Sequence, residues 1–167
     1  MRILGIDPGY AIVGYGVLDY DGYNFVPVTF GAVTTPAGDP FLTRLKTIYD
    51  DLTFLIGEYS PEVMSIEKLY FNTNVTTGIE VAHARGVIML SAANSGLPVY
   101  EYTPLQVKQS VVGYGRAEKE QVMEMTRKIL KLAAAPKPDD TADALAVAIC
   151  HGHNKTGIDL ASGIHEQ

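Results

Sequence analysis

Three acidic stations stand out along the 167 residues of this chain. Asp7 closes the apolar run Arg2-Ile3-Leu4-Gly5-Ile6 and precedes Pro8-Gly9. Glu67 closes a second run, Val63-Met64-Ser65-Ile66. Asp139, Asp140 and Asp143 lead into Ala144-Leu145-Ala146-Val147-Ala148-Ile149. Runs this apolar read as core elements, the first as a strand buried on both faces. A charge at such a place costs several kcal/mol unless something compensates it. Hard oxygen donors on separate core elements suit magnesium, which takes a few carboxylates together with waters and substrate phosphate. Asp140 and Asp143 are three residues apart and so project from one helical face. They border a face that must pack inward, where two like charges repel and a cation relieves them. Four such carboxylates could hold two divalent ions about 3.5–4 Å apart, the arrangement that activates a water and stabilises the leaving oxygen in phosphodiester hydrolysis.

Each station also has a plainer reading. Asp-Pro-Gly is common turn chemistry. Glu67 could be the first solvated residue beyond a strand. Asp139 suits an N-cap, and Asp140 suits the first turn of a helix, where the macrodipole favours negative charge.

The elements that must position these groups follow from periodicity. Residues 2–7, 12–20 and 24–34 read as three strands joined by short turns, with Asp21-Gly22 as a hairpin signal. They make an antiparallel meander. After a break at Pro36 to Pro40, Phe41, Leu42, Leu45, Ile48, Tyr49, Leu52, Leu55 and Ile56 recur at helical spacing. Residues 62–67 form a fourth strand, 68–75 a polar and aromatic loop, and 76–94 a helix closed by Ser95-Gly96. Residues 97–102 form a fifth strand. Thr103-Pro104 reads as an N-cap and first helical position for a helix to about Val112. Gly113-Tyr114-Gly115 is a flexible break before a helix over 117–132. Pro136-Lys137-Pro138 stops the chain, and the last helix runs from Asp139 to about His151. The predicted class is α/β, a five-stranded mixed sheet in which three antiparallel strands are extended by parallel additions and flanked by helices. One domain is expected over residues 1–153, with 154–167 as a tail.

Composition narrows the function. A hydrophobic fraction of 47% and a charged fraction of 19% are ordinary for a globular domain. No apolar run reaches the roughly 18 residues of a membrane span, so no membrane partner is expected. The chain enters a strand at once, which predicts no signal peptide. The single cysteine, Cys150, allows no internal disulfide and fits a reducing, cytoplasmic location. One cysteine and scattered histidines argue against structural zinc. The net charge of −6 hides an uneven distribution: seven of the thirteen basic residues (Lys108, Arg116, Lys119, Arg127, Lys128, Lys131 and Lys137) fall in one stretch opposed only by Glu118, Glu120 and Glu124. Such a stretch is either a set of solvated helices or the footprint of a nucleic-acid face.

In their order along the chain, these motifs resemble the RuvC family of Holliday-junction resolvases, which have the ribonuclease-H-like fold. Gly5-Ile6-Asp7-Pro8-Gly9 matches the family's opening motif and Ile66-Glu67 its second acidic motif. Ala82-His83-Ala84-Arg85-Gly86-Val87 resembles its middle-helix signature. Gln106-Val107-Lys108-Gln109 and Ala117-Glu118-Lys119 match its two lysine motifs. Asp140-Thr141-Ala142-Asp143-Ala144-Leu145-Ala146 matches the last acidic motif. The resemblance runs from Met1 to about His153. It implies that Asp7, Glu67, Asp140 and Asp143 are the catalytic metal ligands for two Mg2+ per subunit, with Mn2+ as a substitute. Asp139 is extra to the pattern and reads as a cap. The resemblance further implies that Lys108 and Lys119 contact phosphates of the cut strand. The family's aromatic near the junction centre falls at Tyr70, beside Phe71; Tyr here, where Phe is more usual, still permits base stacking.

Arg116 could reach a phosphate from its glycine-rich break. Arg85 could contact DNA or pair with a carboxylate. The family resemblance also implies a homodimer on a four-way DNA junction, association with the RuvA-RuvB branch-migration complex, and nicks leaving 5′-phosphate and 3′-hydroxyl ends. The small residues of the helix over 76–94 would permit close packing against the sheet or across the dimer, and the dimer is preferred. Three other readings compete: a nucleotide-binding phosphotransferase, for which one domain is too short; a nuclease of the same fold acting on RNA–DNA hybrids; and a non-catalytic junction-binding protein, which four intact carboxylates disfavour.

Overall fold

The computed structural model describes residues 1–69, 75–154 and 158–159. Strands β1 (Arg2–Asp7), β2 (Ile12–Tyr20) and β3 (Phe25–Thr34) form the expected meander. Helix α1 (Phe41–Tyr59) leads to β4 (Val63–Glu67), α2 (Val75–Asn94) to β5 (Val99–Tyr102), and α3 (Pro104–Val112), α4 (Lys119–Ile129) and α5 (Asp139–His153) follow. The strand order is β3-β2-β1-β4-β5, with β4 parallel to β1 and β5 parallel to β4. The five-stranded mixed sheet of the sequence reading is therefore present. A two-residue strand, β6 (Ile158–Asp159), pairs antiparallel with β5 and adds these two residues to the sheet edge.

The sheet divides two apolar cores. Leu4, Ile6, Val13, Met64 and Ile66 meet α1 and α2 through Ile48, Leu52, Ala84 and Ile88. Ile3, Leu18 and Tyr102 meet α3, α4 and α5 through Val107, Val122, Leu145 and Ile149. Strand β1 contributes to both cores, as its unbroken apolar run requires. Helix α5 is buried along most of its length, which explains why Ala is frequent in it: larger side chains would hold it away from the sheet.

Two helix N-termini differ from expectation, α4 in its first residue and α5 in its cap. Helix α4 begins at Lys119, not 117, because Glu118 takes the N-cap and closes a reciprocal box with Gln121. Helix α5 has Pro138 at its N-cap, preceded by a cis Lys137–Pro138 bond. Asp139 is thus the first helical residue and not a cap. Its carboxylate instead accepts a 2.7 Å hydrogen bond from Lys137, and this holds it below the usual carboxylate range. Thr103 behaves as predicted, capping α3 in a box with Gln106.

Candidate active site

Strand alternation decides which carboxylates meet. Side chains two residues apart share a sheet face, so Asp7 lies with Ile3 and Gly5 on the α5 side, and Glu67 lies with Ser65 on that same side. Ile6 is in parallel register with Ile66, so Asp7 and Glu67 emerge side by side at the carboxyl ends of adjacent strands. This is where open α/β sheets place their sites.

Glycines bring the third station to the first two. A Cβ added to Gly14 would lie 2.0 Å from the Asp140 carbonyl oxygen, and one added to Gly5 would lie 2.1 Å from that of Ala144. Without those side chains, the backbone of α5 rests directly on β1 and β2. The Thr141 hydroxyl donates to the Gly31 carbonyl at 3.0 Å and ties the same turn to β3. Asp140 and Asp143 are thereby delivered to the end of β1.

The electrostatics show one shared field. The Asp7 carboxyl is pushed up to about 8, first by burial and then by Asp143, Glu67 and Asp140, with Lys119 opposing. Glu67 is pushed up to about 7 by burial and by Asp143, against Lys119 and Lys108. Lys119 Nζ lies 2.9 Å from Asp143 Oδ2 and 4.0 Å from Asp139 Oδ2, and the hydrogen bond to Asp143 raises its own pKa. A cleft of about 170 Å³ opens between α3, α4 and α5, lined by Glu67, Lys108, Lys119 and Asp143 over an apolar floor.

All four predicted carboxylates therefore converge, with both predicted lysines beside them. They do not form a closed ligand cage: among the described residues, no three Asp, Glu, His or Cys side chains gather closely enough to hold an ion by themselves. Like charges stand apart, and Lys119 supplies the cation that Asp143 meets. The donor set is all oxygen, half-buried and mutually repelling, which fits a divalent cation of the magnesium type.

The remaining predicted residues fall differently. Lys108 is half-buried on the cleft wall, and Arg116 is exposed in the turn before α4. Arg85 pairs closely with Glu101 of β5, which Lys68 approaches at 3.8 Å. Glu101 points to the α2 side of the sheet, so this group is separated from the four carboxylates. Tyr70 and Phe71 lie outside the described residues. Sequence reading missed Gly5 and Gly14 as positioning residues, and missed the capping box that seats Lys119. The box was detectable, since Glu118 and Gln121 have cap spacing.

The family model for the crossover junction endodeoxyribonuclease RuvC matches residues 3–151. The chain belongs to the RuvC family. Among RuvC proteins, that of Alkaliphilus oremlandii is 58% identical over 153 residues, covering 92% of this chain and 93% of that protein. The Brevibacillus brevis protein is 54% identical over 164 residues, covering 98% and 99%. The structure of Thermus thermophilus RuvC in complex with Holliday junction substrate superposes with a TM-score of 0.91 at 34% identity, covering 96% of this chain and 99% of that one.

The raised carboxyls predict a pH dependence. Asp7 and Glu67 hold protons more tightly folded than unfolded, where 3.8 and 4.5 apply. The native state therefore binds more protons between those values and about 7 to 8, so stability of the cation-free protein falls as pH rises through this window. Above it, Mg2+ should restore at least ~1 kcal/mol, or about 2–4 °C in Tm for a domain of this size. Melting curves in Mg2+ and in chelator should separate at high pH and converge near about pH 5. A Mg2+ effect that does not change with pH would contradict this account of the carboxyls.

Proposed function

We propose that the protein is a structure-selective endonuclease that resolves Holliday junctions in recombination and repair, cutting opposed strands symmetrically to leave 5′-phosphate and 3′-hydroxyl ends. The observation that carries this reading is the convergence of Asp7, Glu67, Asp140 and Asp143 on one sheet face beside Lys108 and Lys119. Those four carboxylates would hold two Mg2+ per subunit, with Mn2+ as a substitute; such ions acidify an attacking water and neutralise charge on the departing oxygen. The residues of the chain do the positioning. Lys108 and Lys119 draw the phosphate backbone toward a site that would otherwise repel it. Arg116 is exposed at the same α3–α4 corner and extends this basic edge. Arg85 is assigned to its pair with Glu101 and not to DNA. Tyr70 remains the candidate for base stacking.

The active form is proposed to be a homodimer, since two equivalent sites related by a two-fold axis match two opposed strands. On α2, Ala84 and Ala92 are buried in the chain's own core. Ile79, His83, Gly86, Leu90 and Ala93 form an exposed stripe at heptad-like spacing, and nothing lies within 4 Å of a Cβ built on Gly86. That stripe supports helix-to-helix packing between two copies. A RuvA-RuvB complex would deliver the junction. No helix among the described residues is long and apolar enough to cross a membrane, and the site of action is proposed to be the cytoplasm.

The direct test is a synthetic mobile junction with mapped cut sites. Paired symmetric nicks with Mg2+ and none with chelator are expected. Faster cleavage of an RNA–DNA hybrid than of the junction would overturn the reading. Lys119→Ala should weaken junction binding and reduce the steepness of its log–log salt dependence by about 0.9, the value for one phosphate contact. An unchanged slope would remove Lys119 from the interface.

A further inference from the structure

On the opposite flank of Asp7 the chain buries a cation. Arg44 of α1 is only 8% exposed, and among the described residues no carboxylate lies within 4.0 Å of it. Its guanidinium lies over the Tyr10 ring, 3.7 Å from the centroid. Arg44 Nε donates to the Thr35 hydroxyl at 3.0 Å, and that hydroxyl donates to the Tyr10 carbonyl at 2.6 Å. Phe41 packs against Tyr10 at 5.8 Å between ring centroids. The planar group is thus fixed by a ring on its face and by its Nε, which leaves the two terminal nitrogens as a rigid fork.

A buried guanidinium without an acid is costly, and cation–π contact offsets only part of that. A fixed fork of this kind matches the oxygens of a phosphate. Its location selects the phosphate. Tyr10 is three residues beyond Asp7, so their Cα atoms are within about 11 Å. Lys108 and Lys119 approach Asp7 from the α5 side of the sheet, and Arg44 lies on the α1 side.

We propose that Arg44 is a DNA-binding residue whose terminal guanidinium nitrogens take a backbone phosphate one to three nucleotides from the cut, so that the strand is gripped from both faces of the sheet. The proposal deepens the junction-nuclease reading and rests on it.

The test is junction binding in chelator over a salt series. Arg44→Gln should bind about tenfold more weakly at ~0.1 M salt, with a log–log slope shallower by about 0.9. Arg44→Lys should keep the slope and lose affinity, because it retains charge but not the fork. A slope unchanged in Arg44→Gln, with only a lower Tm or a shifted monomer–dimer equilibrium, would overturn the proposal and make Arg44 a structural clamp or a partner contact. If Arg44→Gln does not fold, Arg44→Lys carries the test on junctions bearing single neutral methylphosphonates near the cut. Wild type should lose more affinity than Arg44→Lys at one such position, and equal losses at all of them would overturn the assignment. Failure of the wild-type protein to bind junctions at all would instead reject the nuclease reading.

Discussion

Asp7→Asn should bind a four-way junction at least as well as the wild type and cut it at least about a thousandfold more slowly, roughly 4 kcal/mol of barrier. The amide keeps the size of the side chain and its place at the end of β1, so the strand register and the basic cleft survive. It removes the charge that Asp143, Glu67 and Asp140 oppose, and with it one of the oxygens a divalent ion would need. Removing a negative charge beside DNA should not weaken binding. The cation-free variant should also melt higher than the wild type at high pH, because the repelling carboxylate is gone. Gel-shift binding in chelator, single-turnover cleavage in Mg2+ and thermal melts check the three parts. Binding and cleavage lost to the same extent would count against Asp7 as a metal ligand.

Gly14→Ala should damage both fold and chemistry. The new methyl would be placed 2.0 Å from the backbone oxygen of Asp140, and backbone cannot rotate aside as a side chain can. Either α5 lifts or β2 bends. Overpacking of this kind costs about 1–3 kcal/mol or more, so a fall in Tm of roughly 5–10 °C is expected. A shift of about 1 Å in Asp140 and Asp143 relative to Asp7 should reduce cleavage about a hundredfold, even well below the new Tm. Gly57→Ala is the matched control. That glycine lies in α1 with nothing within 4 Å of an added Cβ, and the change should be neutral or stabilise by about 0.5–1 kcal/mol. If both variants behave alike, the close approach of α5 to the sheet is not what positions the carboxylates.

Much of this arrangement was legible in the chain. The bounds of β1, β2 and α3 follow from local signals: the apolar runs, the Asp21-Gly22 turn and the Thr103 cap. The four carboxylates were legible because each ends or begins a core element, where an unpaired acid is out of place, and because their order matches one family. What was not legible depends on long-range placement. Gly5 and Gly14 look like ordinary strand glycines until α5 is laid across them. Arg85 finds Glu101 only through the packing of α2 on β5, and Arg44 finds Tyr10 and Thr35 only through the packing of α1 on the strand ends. The cap at Asp139 was misread for a local reason: Pro138 already holds the extended N-cap conformation, so the acid moves one place into the helix. Lysine spacing alone could not separate a solvated Lys119 from one facing Asp143, since that contact depends on how α4 meets α5.

The measurement that bears most directly on this account is anomalous diffraction from crystals of the protein soaked with Mn2+. Peaks in contact with Asp7 and shared among Glu67, Asp140 and Asp143, with Lys119 drawn away from Asp143, are the expected result. Mn2+ bound only elsewhere, with Lys119 still seated on Asp143 at saturating ion, would contradict it.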